Sequence, residues 1–187
     1  MNSPCLAAEK GTKSAPTATK TLRQAVQALR MGDGDRAVAL ANEILVSDDT
    51  HAGALETLAR AQWQLGLYDE LLGTLGRLIR LNPYEPGYHA LKGATLRSLG
   101  RHGEAIRSFV RGGTTPGASE ALEELRAMQA DLVQNLLRED PVFRAHYTHN
   151  PEEACEERGF EFGSESKIRQ LVLSDAASRA TLLTRPS

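Results

Sequence analysis

Residues 18–119 repeat themselves with a period of 34, and this constrains the fold more than anything else in the chain. The stretch cuts without insertion into three blocks, 18–51, 52–85 and 86–119. Small residues recur at Ala25, Ala59 and Gly93, where one helix has to approach its neighbour closely. A glycine recurs at Gly32, Gly66 and Gly100, the residue that tolerates the left-handed backbone closing a helix. A second helix in each block then carries Ala37, Leu71 or Ala105 and, four residues on, Ala41, Leu75 or Phe109, which is one helical face. A period of this length with a glycine at its middle predicts helix–turn–helix units stacked in a row, because one such unit cannot bury its apolar side alone. The expected fold is therefore all-α.

The motif order resembles the tetratricopeptide-repeat (TPR) superfamily over about 100 residues. The middle block carries the resemblance best, through Leu58-Ala59, Leu65-Gly66-Leu67-Tyr68-Asp69-Glu70, Leu78 and Leu81-Asn82-Pro83. The third block keeps Gly93, Leu99-Gly100-Arg101, Glu104-Ala105-Ile106 and Phe109, and the first keeps Gly32-Asp33, Arg36-Ala37-Val38 and Ile44. Three positions depart from the pattern: Lys92 in a row of core leucines, Gly112 in the Ile44/Leu78 row, and Asp49 in the Pro83 row. The resemblance implies a right-handed TPR solenoid of three repeats. A capping helix at 120–139 and a small helical appendage at 140–187 are expected to follow.

Local signals place the elements. Residues 1–17 are rich in Ser, Thr, Ala and Lys without apolar periodicity and read as a disordered tail. Six helices follow: Thr19–Met31, one opened by Asp33 or Asp35 and running to Val46, Ala52–Leu65 capped from Asp48-Asp49-Thr50, Tyr68–Leu81 stopped by Asn82-Pro83, one from Pro86 to Leu99, and one ending near Arg111. Gly112-Gly113-Thr114-Thr115-Pro116-Gly117 is the strongest break. Beyond it, Ala118–Glu139 has Leu122, Leu125, Met128, Leu132 and Leu136 on one face, suited to covering the last repeat. Asp140-Pro141 and Asn150-Pro151 each open a short helix, and Ser164 can cap another through Ile168 and Leu171, with one more expected from Ser174-Asp175. Within 132–165, Asp140-Pro141-x-Phe143, Asn150-Pro151-Glu152-x-Ala154 and Gly159-Phe160-Glu161-Phe162 resemble Nif11-like ribosomal-peptide leader segments. No Gly-Gly cleavage site or Cys-rich core follows.

Composition excludes several functions. No apolar run reaches the ~18–20 residues of a membrane span, no basic-then-apolar signal segment opens the chain, and two distant cysteines argue against a structural disulfide. A cytoplasmic protein is expected. Residues 1–119 carry 14 Lys/Arg against 11 Asp/Glu, whereas 120–187 carry 8 against 13. The acidic second half argues against nucleic-acid binding, and the surplus in the first is too small to argue for it. An acidic appendage leaning on a basic repeat array is the expected use of that asymmetry.

Nothing in the residues points to catalysis, a metal or a cofactor. His146-x-x-His149 has helical ligand spacing but no partner pattern, and Glu152-Glu153 with Glu156-Glu157 reads as a solvated face. Cys155 among four glutamates is a poor thiolate. The TPR resemblance instead implies a groove lined by the first helix of each repeat, holding a protein or peptide segment. Its rows place Thr19, Leu22, Arg23, Val26, Leu29 and Arg30 from the first repeat. Glu56, Arg60, Trp63 and Gln64 come from the second, and Ala94, Arg97 and Ser98 from the third. Trp63 with Arg60 and Arg97 is the sharpest anchor candidate, since these residue types dominate binding hot spots. The places at which chaperone-tail binders grip a carboxylate hold Leu22, Val26, Thr57, Gly87 and Leu91, so the groove should take an apolar segment with some negative charge. The expected function is an adaptor, scaffold or chaperone-like module. The alternative is a peptide-modification component whose leader-like appendage is itself recognised. Monomer and dimer both stay open.

Overall fold

A computed structural model describes residues 15–113, 115–162 and 167–170, with the side chains of residues 15 and 16 left aside. The described residues form nine named α-helices and no strand. The expected tail over 1–14, the Ser164 cap and the helix beyond Ser174 lie outside the described residues. The chain divides into two compact units, Met1–Pro83 and Tyr84–Ser187.

The first unit holds α1 (Ala15–Arg30), α2 (Gly34–Ser47), α3 (Ala52–Leu65) and α4 (Tyr68–Leu81). Helix α1 starts earlier than the tail reading allowed, taking in residues 15–17. Pro16 is compatible with that start because a first-turn proline gives up no intrahelical hydrogen bond. Consecutive helices pack on each other, and α1 also touches α3. Ala28, Leu29, Ala37 and Ala61 meet in the core between α1, α2 and α3. Between α3 and α4, the Thr74 hydroxyl donates to Gln62 Oε1 at 2.8 Å, so this buried polar pair is satisfied.

The second unit holds α5 (Pro86–Ser98), α6 (His102–Arg111), α7 (Ala118–Glu139), α8 (Pro141–His149) and α9 (Pro151–Glu157). Residues 167–170 are helical as well. Its helices pack in chain order. A small core of Val133, Phe143, Ala154, Cys155 and Ile168, flanked by Leu136, Leu137, Tyr147, Phe160 and Phe162, joins α7 to the C-terminal helices.

The repeat period reappears as geometry. Gly32, Gly66 and Gly100 have φ of 80°, 71° and 73°. Each is followed by the same closing bond, from Asp33 N–H to Ala28 O, Leu67 N–H to Gln62 O and Arg101 N–H to Leu96 O, all at 2.9 Å. Three left-handed glycines thus end three first helices in one way.

One of the departures has a physical reason. A Cβ at Gly112 would lie 2.7 Å from Ala90 N, so the end of α6 passes too close to α5 for the Ile or Leu of the other repeats. Gly93 is buried against the Phe109 ring, all three nearest ring carbons lying 2.9 Å from where its Cβ would stand. The larger aromatic in α6 is therefore offset by the missing methyl in α5. Two expectations need correcting. His51, not the Asp48–Thr50 cluster, caps α3, its Nδ1 accepting from Ala54 N–H, while Asp48 accepts from the Thr50 amide and hydroxyl. And α7 buries Ala118, Leu125, Gln129, Ala130 and Val133, leaving Met128 and Leu132 exposed. The rotation follows from Gln129, which is taken inside to accept the Glu161 amide.

Candidate protein-binding face

The expected face in the first unit is built on two neighbouring helices, α1 and α3. Helix α1 carries Lys20, Arg23 and Arg30 and no acidic residue. Thr19, Leu22, Arg23, Val26, Gln27 and Arg30 fall on one side of it and line an open depression of ≈ 560 Å³. Five of these, all but Gln27, are groove residues expected from the sequence. Gln27 was missed, although it stands four residues from Arg23 and three from Arg30 on the same stripe. Leu22 and Val26 are half-buried, and Arg23 and Arg30 exposed. This is an aliphatic floor with a cationic rim. Leu22 also meets the start of α3, where a Cβ on Gly53 would be 3.1 Å from Leu22 Cδ2. Gly53 is the residue type that keeps these two helices close.

Leu29 is a correction. It is 9% exposed and packs with Ala28, Ala37 and Ala61, so it belongs to the core. The cause is its place in the last turn of α1, where α2 folds back.

On α3, Arg60 and Gln64 are exposed and Glu56 is half-buried. Trp63, at the row of Leu29, is 37% exposed. Its indole meets the Tyr68 ring edge-on, with centroids 5.6 Å apart and planes at 65°. Gly66 turns the chain between them, so Tyr68 at the start of α4 supports the indole from the side. That is a geometry in which a large aromatic is held in place and still presents surface. Tyr68 was not among the expected site residues. The glycine turn three residues after Trp63 was the available signal.

The third-repeat share, Ala94, Arg97 and Ser98, lies on α5 in the second unit. Ala94 is half-buried and Ser98 exposed. Arg97 is paired with Glu124 of α7 at 3.3 Å, both side chains well exposed. Such a pair is worth about 0–1 kcal/mol, so Arg97 is engaged but exchangeable.

The C-terminal unit places the remaining candidates. Cys155 is fully buried, and desolvation pushes its thiol up to about 12. Burial, rather than the neighbouring glutamates, is what silences it. His146 is brought together with Glu157 and Glu153, at 3.3 and 3.8 Å, and not with His149. Asp140 caps α8 through the amides of Val142 and Phe143, both at 2.9 Å, and pairs with Arg158 at the end of α9. The Phe143 amide above all holds its carboxyl below the usual carboxylate range. No helix among the described residues is long and apolar enough to cross a membrane.

Residues 7–132 match the family described as bacterial transcriptional activator domain. Over 91 residues, 49% of the chain, the sequence is 32% identical to tetratricopeptide repeat protein 28 of Homo sapiens, of which it spans 4%. Among solved structures, the type III secretion translocator chaperone SycD of Yersinia enterocolitica is similar with a TM-score of 0.58 and 16% identity, covering 64% of this chain and 98% of that one. The first TPR of Spaghetti (RPAP3) bound to the HSP90 peptide SRMEEVD gives 0.57 and 16%, covering 60% and 93%. At such identities the likeness is one of fold, and that fold is TPR-like.

Proposed function

The chain belongs to the bacterial transcriptional activator domain family, and on that premise we propose that it is a non-catalytic interaction module holding a peptide segment of a protein partner. The segment lies along α1 and α3, over Leu22 and Val26, with Arg23, Arg30 and Arg60 beside it and Trp63 as the aromatic anchor. The module works in the cytoplasm, and the family description points to a partner within transcriptional control.

The single observation that carries the reading is the side of α1. It joins an aliphatic floor to two exposed guanidinium groups with no carboxylate on the helix, above an open depression. Such a surface favours a segment that is apolar on one side and acidic on the other. A TPR of the same fold is seen with an acidic peptide, and another neighbour is a secretion chaperone. The clamp places filled here by Leu22, Val26, Thr57, Gly87 and Leu91 favour side-chain rather than terminal-carboxylate recognition.

The test is an anisotropy titration of two fluorescein-labelled twelve-residue peptides, one of Leu with Asp and Glu, the other of Leu with Lys. The expected result is saturable binding of the acidic peptide alone, weakened at least tenfold by Arg23→Glu or Trp63→Ala. Equal binding of both peptides, or no effect of either substitution, overturns the proposal.

A further inference from the structure

Outside the interaction face, one cluster of side chains among the described residues has the composition of a ligand set. His146 on α8 lies between two carboxylates of α9. Its Nδ1 is 3.3 Å from Glu157 Oε2 and its Nε2 is 3.8 Å from Glu153 Oε2. One ligand atom from each residue can be chosen so that all three lie within 4.8 Å of one another. We propose that His146, Glu153 and Glu157 bind a divalent transition-metal ion of the zinc class, clasping α8 to α9.

Two glutamates one turn apart would by themselves be an ordinary solvated face. What distinguishes this pair is the imidazole from a different helix, with one ligand atom of each of the three residues within 4.8 Å of the others. Imidazole selects zinc, cobalt, nickel or copper over magnesium and calcium, which prefer oxygen alone. Zinc bonds of about 2.0–2.2 Å at tetrahedral angles separate ligand atoms by about 3.4 Å. The His146 Nδ1–Glu157 Oε2 distance of 3.3 Å is close to that value, whereas Glu153 stands nearer Nε2 and has to leave Asn150 to share one ion with them. Water completes the coordination.

The supports around the cluster are those a ligand set needs. Asn150 Nδ2 donates to Glu153 Oε2 at 2.9 Å, and the Glu153 amide donates back to Asn150 Oδ1 at 3.3 Å, which fixes the start of α9 beside α8. Arg158 ties the end of α9 to Asp140 at the start of α8 at 2.9 Å. Beneath, Phe143 of α8 packs with Ala154 and Cys155 of α9, fixing the spacing of the two helices. Each ligand remains accessible, with side-chain exposures of 32% for His146, 59% for Glu153 and 62% for Glu157. An ion can therefore enter from solvent.

The test is isothermal titration of Zn²⁺ into the tag-free full chain in a Cys5→Ser background, with Co²⁺ absorption as the spectroscopic readout. One ion per chain is expected, with visible cobalt bands of nitrogen–oxygen coordination. His146→Ala, Glu153→Gln and Glu157→Gln should each weaken binding at least tenfold, while Glu152→Gln and Glu156→Gln leave it unchanged. Far-UV circular dichroism of every variant shows that the helices persist. Absence of saturable binding, full affinity in His146→Ala, or equal losses in the two control variants overturns the site.

Discussion

The pairing of Gly93 with Phe109 allows the repeat logic to be tested by exchange. A methyl placed on Gly93 would stand 2.9 Å from Cγ, Cδ1 and Cδ2 of Phe109, a residue that is 4% exposed. Overpacking of this kind costs about 1–3 kcal/mol, against up to about 1 kcal/mol gained by replacing a mid-helix glycine with alanine. Gly93→Ala alone should therefore lose about 0–2 kcal/mol. Phe109→Leu alone leaves a partial cavity, and truncation of that size costs roughly 1–2 kcal/mol. The double substitution recreates the pair that the second repeat uses, Ala59 with Leu75, both buried there at 2% and 0%. It should fall within about 1 kcal/mol of the natural chain, a favourable coupling of roughly 1–3 kcal/mol. Urea unfolding followed at 222 nm for the four proteins measures the cycle. Additivity of the two single losses to within about 0.5 kcal/mol would refute the idea that the two positions compensate.

Other consequences follow from the same geometry. Gly66→Ala forces a side chain onto φ of 71° and should cost about 1–2 kcal/mol in urea unfolding; an unchanged midpoint would contradict the left-handed closure. Cys155, with its thiol pushed up to about 12 by burial, should resist a disulfide-exchange reagent at pH 8 in the native Cys5→Ser protein and react at once in urea. Native-state labelling as fast as for free cysteine would contradict that burial. Asp140 has a folded-state carboxyl held below its unfolded value, so its contribution to stability is complete above the ordinary carboxylate range. The contribution is lost as pH falls through that range to the lowered value. Asp140→Asn keeps a capping side chain but removes the titration, so the gap in melting temperature between the two proteins should narrow from pH 6 to pH 3. A constant gap counts against it.

Helix ends were the most legible part of this chain, because they are written in local chemistry. A glycine every 34 residues, Asn82-Pro83, Asp140-Pro141 and Asn150-Pro151 act on the backbone beside them: α3 ends at Gly66, α4 ends at Asn82, α7 ends at Asp140, and α8 and α9 begin at Pro141 and Pro151. Facing was harder to read. The side that α7 buries was decided by the polar Gln129 meeting an amide 32 residues away, which no apolar periodicity announces. Leu29 and Trp63 occupy the same row of their repeats, yet one is sealed by the returning α2 and the other is held half-open by Tyr68. A row in the repeat predicts direction from the helix axis, and the next element determines what covers it. His51 escaped notice as a cap because Asp48, Asp49 and Thr50 beside it carry the commoner capping side chains. The companions of His146 were likewise invisible, since they come from a different helix and their spacing depends on the packing of α8 on α9.

Trp63 is the chain's only tryptophan, so its emission reports directly on the face assigned to partner binding. The decisive measurement is fluorescence titration of the full chain with the Leu/Asp/Glu peptide, alone and in the Arg23→Glu variant. The expected result is a saturable shift or quench of the indole emission, moved in the variant to at least tenfold higher peptide concentration. Binding of the peptide, detected by calorimetry, with no change in Trp63 emission and no dependence on Arg23 would place the interaction elsewhere and contradict it.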